Sequence, residues 1–355
     1  MPITAVDSIT PAIEHTKQQL FKPFRIVEWT KLAFVGLLAG ELGSSGFSRS
    51  NLNIPRQTGT TQPHFPHFPS LPGSLGVDTA LIIALVALGI LAAFAIGIIL
   101  MYVGSVMRFV LFDSVVTRKC EIRAGWRRRL GPGWRYFAWR LAYILLTLAG
   151  LIIVVGAPVL YVFTSGWYKE PKEHLPALIL GGIVISFVLF AFFVVTAVVL
   201  VLTKDFVVPQ MALEDISVTE GWRRLWAMMQ VEKGAYAVYI VMKIVLAIVA
   251  GILIGFAAVI VSLIYVIPTA AISLMALLSG KAAGLSWNAG TITLAVVIGC
   301  ILLAGFLYLV SLISVPAIVF FPAYSIYFFA GRYPRLQAAL YPSLRVPPSE
   351  LPVSP

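Results

Sequence analysis

"LPALILGGIVISFVLFAFFVVTAVVLVLT", residues 175–203, runs its whole length without a charged side chain. As a helix it would be about 43 Å long, more than the ~30 Å hydrocarbon core that roughly 20 helical residues cross. Backbone N–H and C=O groups find no water in lipid, so such a run must pair them internally, as a helix does. Residues 79–107, 141–164, 235–267 and 291–321 are similarly apolar. None of these runs has the period-two alternation of outer-membrane barrel strands. With 59% apolar residues and a mean hydropathy of +0.94 over 355 residues, the chain reads as an all-α, polytopic membrane protein.

A sixth candidate, "IVEWTKLAFVGLLAGEL" at residues 26–42, is shorter and carries Glu28, Lys31 and Glu41. Read as a span it brings the count to six transmembrane helices; the alternative is a re-entrant or interfacial segment. Asp7, Glu14, Lys17 and Lys22 are scattered through the first 25 residues, so no cleavable leader is expected.

Lys and Arg then fix an orientation. With six spans, one face collects residues 1–31, 108–140, 204–243 and 332–355, which hold 21 of the 26 basic residues. The positive-inside rule puts that face, and both termini, in the cytoplasm. The net charge of +11 suits anionic headgroups, at about 1 kcal/mol per basic residue near the surface. No nucleic-acid-binding fold accompanies the charge, so nucleic acid is not an expected partner. Cys120 falls on the basic side and Cys300 within a span, which points to two reduced thiols.

The basic segments repeat. "AGWRRRL" at 124–130 has a near-copy in "EGWRRLW" at 220–226. Upstream, "FVLFDSVV" (109–116) faces "FVVPQMAL" (206–213), and "VFFPAYSI" (319–326) looks like a third copy, with Pro322 matching Pro209. Each basic segment leads into a span opened by a cation, Arg140 or Lys243, and Lys31 in "WTKLAFVGLLAG" takes the same place near the N-terminus. The expected architecture is therefore three two-helix repeats, 1–107 (with an outer loop at 44–77), 108–203 and 204–331, followed by a disordered tail at 332–355.

The segment after Ser217 reads as an amphipathic interfacial helix. Ser217 and Glu220 form a capping box, and Trp222, Leu225, Trp226 and Met229 share one stripe beside Arg223 and Arg224. In the first copy Ile122, Trp126 and Leu130 share a face beside Arg127, Arg128 and Arg129, and "GPG" at 131–133 should end the helix. The N-terminal copy should start at Thr10–Pro11. These segments read either as anchors that only set topology or as a surface for headgroups or a partner. The candidate contacts are Trp126, Arg127, Arg128, Trp222, Arg223 and Arg224. Packed around a threefold axis, Lys31, Arg140 and Lys243 would form a ring able to hold a phosphate or carboxylate; otherwise each snorkels to its own interface.

Catalytic signals are sparse. Asp113 and Gln210 occupy matching positions just inside the boundary, and Arg108 or Arg118 stands near enough in sequence to pair with Asp113. His64 and His67 lie in an outer loop without the Cys, Asp or Glu that a zinc site needs. His15 and His174 fall on opposite sides of the membrane, and no phosphate loop is present. No metal or cofactor is expected.

"ITPAIEHTKQQLFKPFRIVEWTKLAFVGLLAG" together with "FVVPQMALEDISVTEGWRRLW" resembles a group of uncharacterised bacterial integral membrane proteins. They are distantly similar to the membrane domain in front of some glycerophosphoryl diester phosphodiesterases, whose catalytic domain has no counterpart here. The resemblance implies a multi-pass protein of the bacterial inner membrane and supplies no activity. The expected function is a non-enzymatic scaffold or accessory subunit contacting anionic lipid or other membrane-protein subunits. The alternative is a transporter or lipid translocase using a cavity between repeats, and an intramembrane hydrolase stands behind both.

Overall fold

The computed structural model describes residues 3–41, 79–168, 174–282, 284 and 288–341, and every regular element within them is helical. Two short helices, α1 (Ile9–Phe21) and α2 (Ile26–Ala39), precede α3 (Thr79–Thr117) and α4 (Ile122–Thr164). Next, α5 (Leu175–Leu202) passes through a π-helical turn, Thr203–Val207, into α6 (Val208–Glu214). The chain ends with α7 (Val218–Val231), α8 (Lys233–Ala282), α9 (Ala289–Ala330) and α10 (Pro334–Leu340). Five helical runs, built on α3, α4, α5–α6, α8 and α9, are long and apolar enough to cross a membrane.

The sixth candidate is shorter than a span. With 14 residues, α2 is about 21 Å long. Gly40 stops it in the left-handed region, φ 78°, with its N–H on the Gly36 and Leu37 carbonyls. Antiparallel to α3, it places Glu28 beside the Cys120 N–H (3.4 Å) and the Ala39 carbonyl beside the Arg108 guanidinium. Meanwhile α1 docks where α3 and α9 end, His15 reaching the Val115 carbonyl (3.0 Å) and the Tyr327 hydroxyl (3.1 Å). The start of the described chain and the last turns of α9 thus share one end of the bundle, which also carries most of the described basic residues.

That basic end holds the core. Phe109, Phe206, Tyr236, Tyr239, Tyr324 and Phe328 are at most 1% exposed, and the Phe206 ring meets Tyr236, Tyr239 and Phe328 at 5.4, 4.9 and 5.8 Å between centroids. Farther along the spans the side chains point outward: Ile90, Leu91, Phe94, Phe187, Phe190 and Phe256 are 64–72% exposed. Uniformly apolar exposed helices of this length have lipid as their matching solvent. The three exit segments of the sequence, at 109–116, 206–213 and 319–326, supply much of the buried core.

Three local expectations need correction. "GPG" does not end a helix: α4 continues through Pro132, because Gly133 crosses so close to α3 that a Cβ there would lie 2.6 Å from Val106 Cγ2. Close packing at that crossing outweighs the one backbone bond that Pro132 cannot make. The tail at 332–355 is ordered at its start, where Leu336 is fully buried and Arg332 donates to Glu232 (2.8 Å) and the Ile3 carbonyl (3.0 Å). Residues 342–355 and the outer loop at 44–77, with His64 and His67, lie outside the described residues. Finally, α1 begins at Ile9 rather than at Thr10–Pro11, its N-cap Ser8 donating to the Thr4 carbonyl (2.8 Å).

The "GW" glycines have a packing role. A Cβ on Gly221 would stand 2.7 Å from Val207 Cγ1, and one on Gly125 would stand 3.2 Å from the Val110 methyls. Val110 and Val207 are counterparts in the aligned exit segments, and each segment ends on a left-handed non-glycine residue, Arg118 (φ 58°) and Asp215 (φ 52°). Gly221→Ala should lower stability by about 1–3 kcal/mol, since Val207 is buried and stiff at χ1, and Gly125→Ala should cost clearly less. Thermal unfolding of the two variants in detergent checks the order; equal or reversed losses would contradict the packing account.

Candidate functional site

Charge gathers where the π turn meets α2 and α3. Pro209 has no N–H, and its ring would strike the carbonyl four residues back in a regular helix, so the preceding turn opens to π geometry, with Val208 N–H reaching the Thr203 carbonyl. The turn aims its adjacent polar residues at different helices. Lys204 pairs with Glu41 past the end of α2, and Asp205 pairs with Lys243 of α8. The Tyr239 hydroxyl donates to the same Asp205 oxygen (3.0 Å), and its ring stacks on Tyr324 at 5.2 Å. Arg108 of α3 comes within 4.0 Å of Glu41 Oε1 and donates to the Ala39 carbonyl at the C-terminus of α2. All five charged side chains are at most 13% exposed. Glu41, Arg108, Lys204 and Asp205 line a cavity of about 30 Å³ together with Pro209, Pro322, Ser325 and apolar side chains.

The expected ring is not assembled. Lys243 is in the buried cluster, and the Arg140 guanidinium lies against the α2–α3 crossing at Gly104. Lys31 instead pairs with Glu28 (2.9 Å) near the start of α2, about 15 Å of helix away from Glu41. The Glu28 carboxylate one turn back offers Lys31 a nearer partner.

The interfacial candidates divide. On α7 the Ser217 hydroxyl accepts from Glu220 N–H (3.3 Å), but the Glu220 carboxylate does not close the box; it holds Arg223 (2.7 Å) and Arg224 (2.8 Å). Arg224 also meets Glu214 (2.8 Å), and hydrogen bonds to Glu214 and then Glu220 raise its pKa further. Trp222 is half-buried and donates to the Thr203 hydroxyl (3.1 Å), so α7 packs its apolar stripe onto the π turn. Trp126 is half-buried against Tyr102. Arg127 and Arg128, with Arg123, are exposed and make no ion pair among the described residues.

Asp113 does not pair with Arg108 or Arg118; Arg129 clamps it through both oxygens (2.7 and 2.8 Å) while also donating to the Ala212 carbonyl. Arg129, about two turns into α4, crosses over Asp113 of α3, whereas Arg108 faces α2. Gln210 is fully buried, its amide N–H₂ on the Phe206 carbonyl (3.1 Å) and its Oε1 without a partner.

Over residues 3–339 the chain matches the model of a family described as "Family of unknown function (DUF7544)". It belongs to that family. No curated protein and no solved structure matches, and nothing in these comparisons links the chain to the glycerophosphoryl diester phosphodiesterase membrane domain. The family thus supplies no activity, and the residues must speak for themselves.

Sequence reading missed Glu41, Lys204 and Asp205 as one site. The available signal was the Lys204–Asp205 pair, set between an uncharged run and the apolar "FVVPQMAL". Outside the spans, His15 is the buried titratable group of interest. Burial, and then the charge of Arg118, lower its pKa from 6.5. A carbonyl can only accept, so Nε2 carries the proton toward Val115 and Nδ1 accepts from Tyr327: the ring is neutral in the fold. The unfolded chain takes up a proton near pH 6.5, so the docking energy of α1 is complete above that value and is lost as pH falls below it. The protection of the α1 amides, relative to their intrinsic exchange at each pH, should fall between pH 7.5 and 5, and His15→Phe should flatten that dependence. Unchanged relative protection across the range would contradict the assignment.

Proposed function

We propose that the chain is a multi-pass membrane scaffold or accessory protein, with its basic end cytoplasmic, that holds anionic lipid headgroups against the first turns of α4. The observation that carries this reading is one exposed face: Arg123, Arg127, Leu130 and Trp134 at i, i+4, i+7 and i+11, with Arg128 beside it. Its cations make no ion pair among the described residues, while Arg129, Arg223, Arg224 and Arg332 are each engaged by a carboxylate. Along the helix the order is guanidinium, then indole about 10 Å farther in, then exposed Leu145 and Leu146. This matches the order of phosphate, interface and acyl chain that such a helix meets when it enters a bilayer. The face takes over the role that the repeated "GWRR" suggested for Trp126 and Trp222. The matched Gly–Val contacts and left-handed exits support a duplicated unit behind α3–α4 and α6–α7.

The transporter alternative draws on the buried charges at the π turn. Its proposed cation ring is not brought together, and the cavity there is about 30 Å³.

At about 1 kcal/mol per basic residue, Arg123, Arg127 and Arg128 together favour an anionic headgroup by roughly 100-fold over a zwitterionic one. In nanodiscs of mixed phosphatidylglycerol and phosphatidylcholine, the wild type should enrich the anionic lipid around itself. The triple Arg→Gln variant should lose most of that enrichment, and Arg223→Gln should change it little. Equal enrichment by the wild type and the triple variant would sink the proposal.

A further inference from the structure

We propose that the cavity bounded by α2, α3, the π turn and α9 binds one small inorganic monoanion of halide size, held by Arg108 and Lys204. The argument begins with charge. Three buried cations, Arg108, Lys204 and Lys243, face two buried carboxylates, Glu41 and Asp205, and the two close pairs use both carboxylates. Arg108 has only a shared carboxylate, Glu41, whose Oε1 lies 4.0 Å away while its Oε2 serves Lys204 more closely.

Its other contacts do not neutralise it. One Nη donates to the Ala39 carbonyl, Tyr136 lies 6.0 Å beneath the guanidinium, and the buried Nε has no partner. The carbonyl end of α2 contributes the equivalent of about half a negative charge, which leaves about half a positive charge uncompensated. A buried charge without a counterion costs several kcal/mol, so this is the place where an anion is stabilised most. None of the other described carboxylates lines the cavity: Asp113 is on Arg129, Glu28 on Lys31, and Glu214, Glu220 and Glu232 are among those held by arginines of α7, of α10 and of the turn between α9 and α10.

Size selects the ligand. A space of about 30 Å³ takes one or two water-sized guests, which favours a halide over a phosphate or a carboxylate-bearing solute. Leu111, Phe112 and Val208 form the apolar wall, which suits a weakly hydrated ion. Pro209 and Pro322 bring no N–H of their own, and the Ser325 hydroxyl donates to the Pro322 carbonyl (2.9 Å), so the charged donors facing the cavity are the guanidinium and ammonium groups.

The test uses the full-length protein in detergent at fixed ionic strength, titrated with sodium bromide or chloride against sodium gluconate. The melting temperature should rise saturably with either halide and stay flat in gluconate. Crystals grown in bromide should show an anomalous peak beside Arg108 within the cavity. Arg108→Lys keeps the charge but loses the fork, and should weaken halide binding at least tenfold. Should that variant fail to fold, the bromide peak in the wild type still decides. No halide dependence, or bromide found only at the surface, would mean that the cavity holds water alone. A melting temperature that follows pH but not halide would assign the charge balance to proton loss from a lysine. Either result overturns the proposal.

Discussion

Moving a charged side chain out of water costs several kcal/mol even after relaxation, and this chain does so five times within one site. The cost fixes the arrangement of the basic end. Glu41 and Asp205 are tolerable only where Lys204 and Lys243 meet them, so α2, α5–α6 and α8 must converge, and Arg108 brings in α3. Once these helices converge, the aromatic side chains around Phe206 close over them, and α7 seals the π turn through Trp222. Away from this end the helices need no protein partner, since their apolar side chains match lipid. The fold is therefore held at one end and open to the bilayer along its length.

The π turn connects sequence to site. Lys204 and Asp205 are neighbours within that turn, and they serve Glu41 past the end of α2 and Lys243 of α8. Pro209 opens the turn, and its matched Pro322 lines the same cavity from α9. A proline that looks like a helix breaker in the sequence here shapes a charged site.

What could be read in advance follows the range of the interaction. The apolar runs are local, and the five long helices appear where the residues put them; the Ser217 cap, decided within four residues, is also present. The site depends on contacts between distant residues, with Glu41 and Lys204 163 positions apart, and no local pattern announces them. Arg129 and Arg108 illustrate the same limit, because which arginine reaches Asp113 depends on how α3 and α4 cross. "GPG" misled for a related reason: local propensity opposes a helix there, and close packing on Val106 overrides it. On the surface, charge count alone did not separate the arginines used internally, such as Arg224, from those left exposed, such as Arg127.

The most direct test of this account is a double-mutant cycle on Glu41→Gln and Lys204→Met, read by chemical unfolding of the full chain in detergent. If the pair holds α2 to the π turn, each single substitution removes the close counter-charge of a buried group and should cost about 3–5 kcal/mol, while the double, which removes both charges, should cost less than either single. Losses that simply add, to within about 0.5 kcal/mol, would show the two groups to be uncoupled and would contradict the claim that this ion pair organises the basic end.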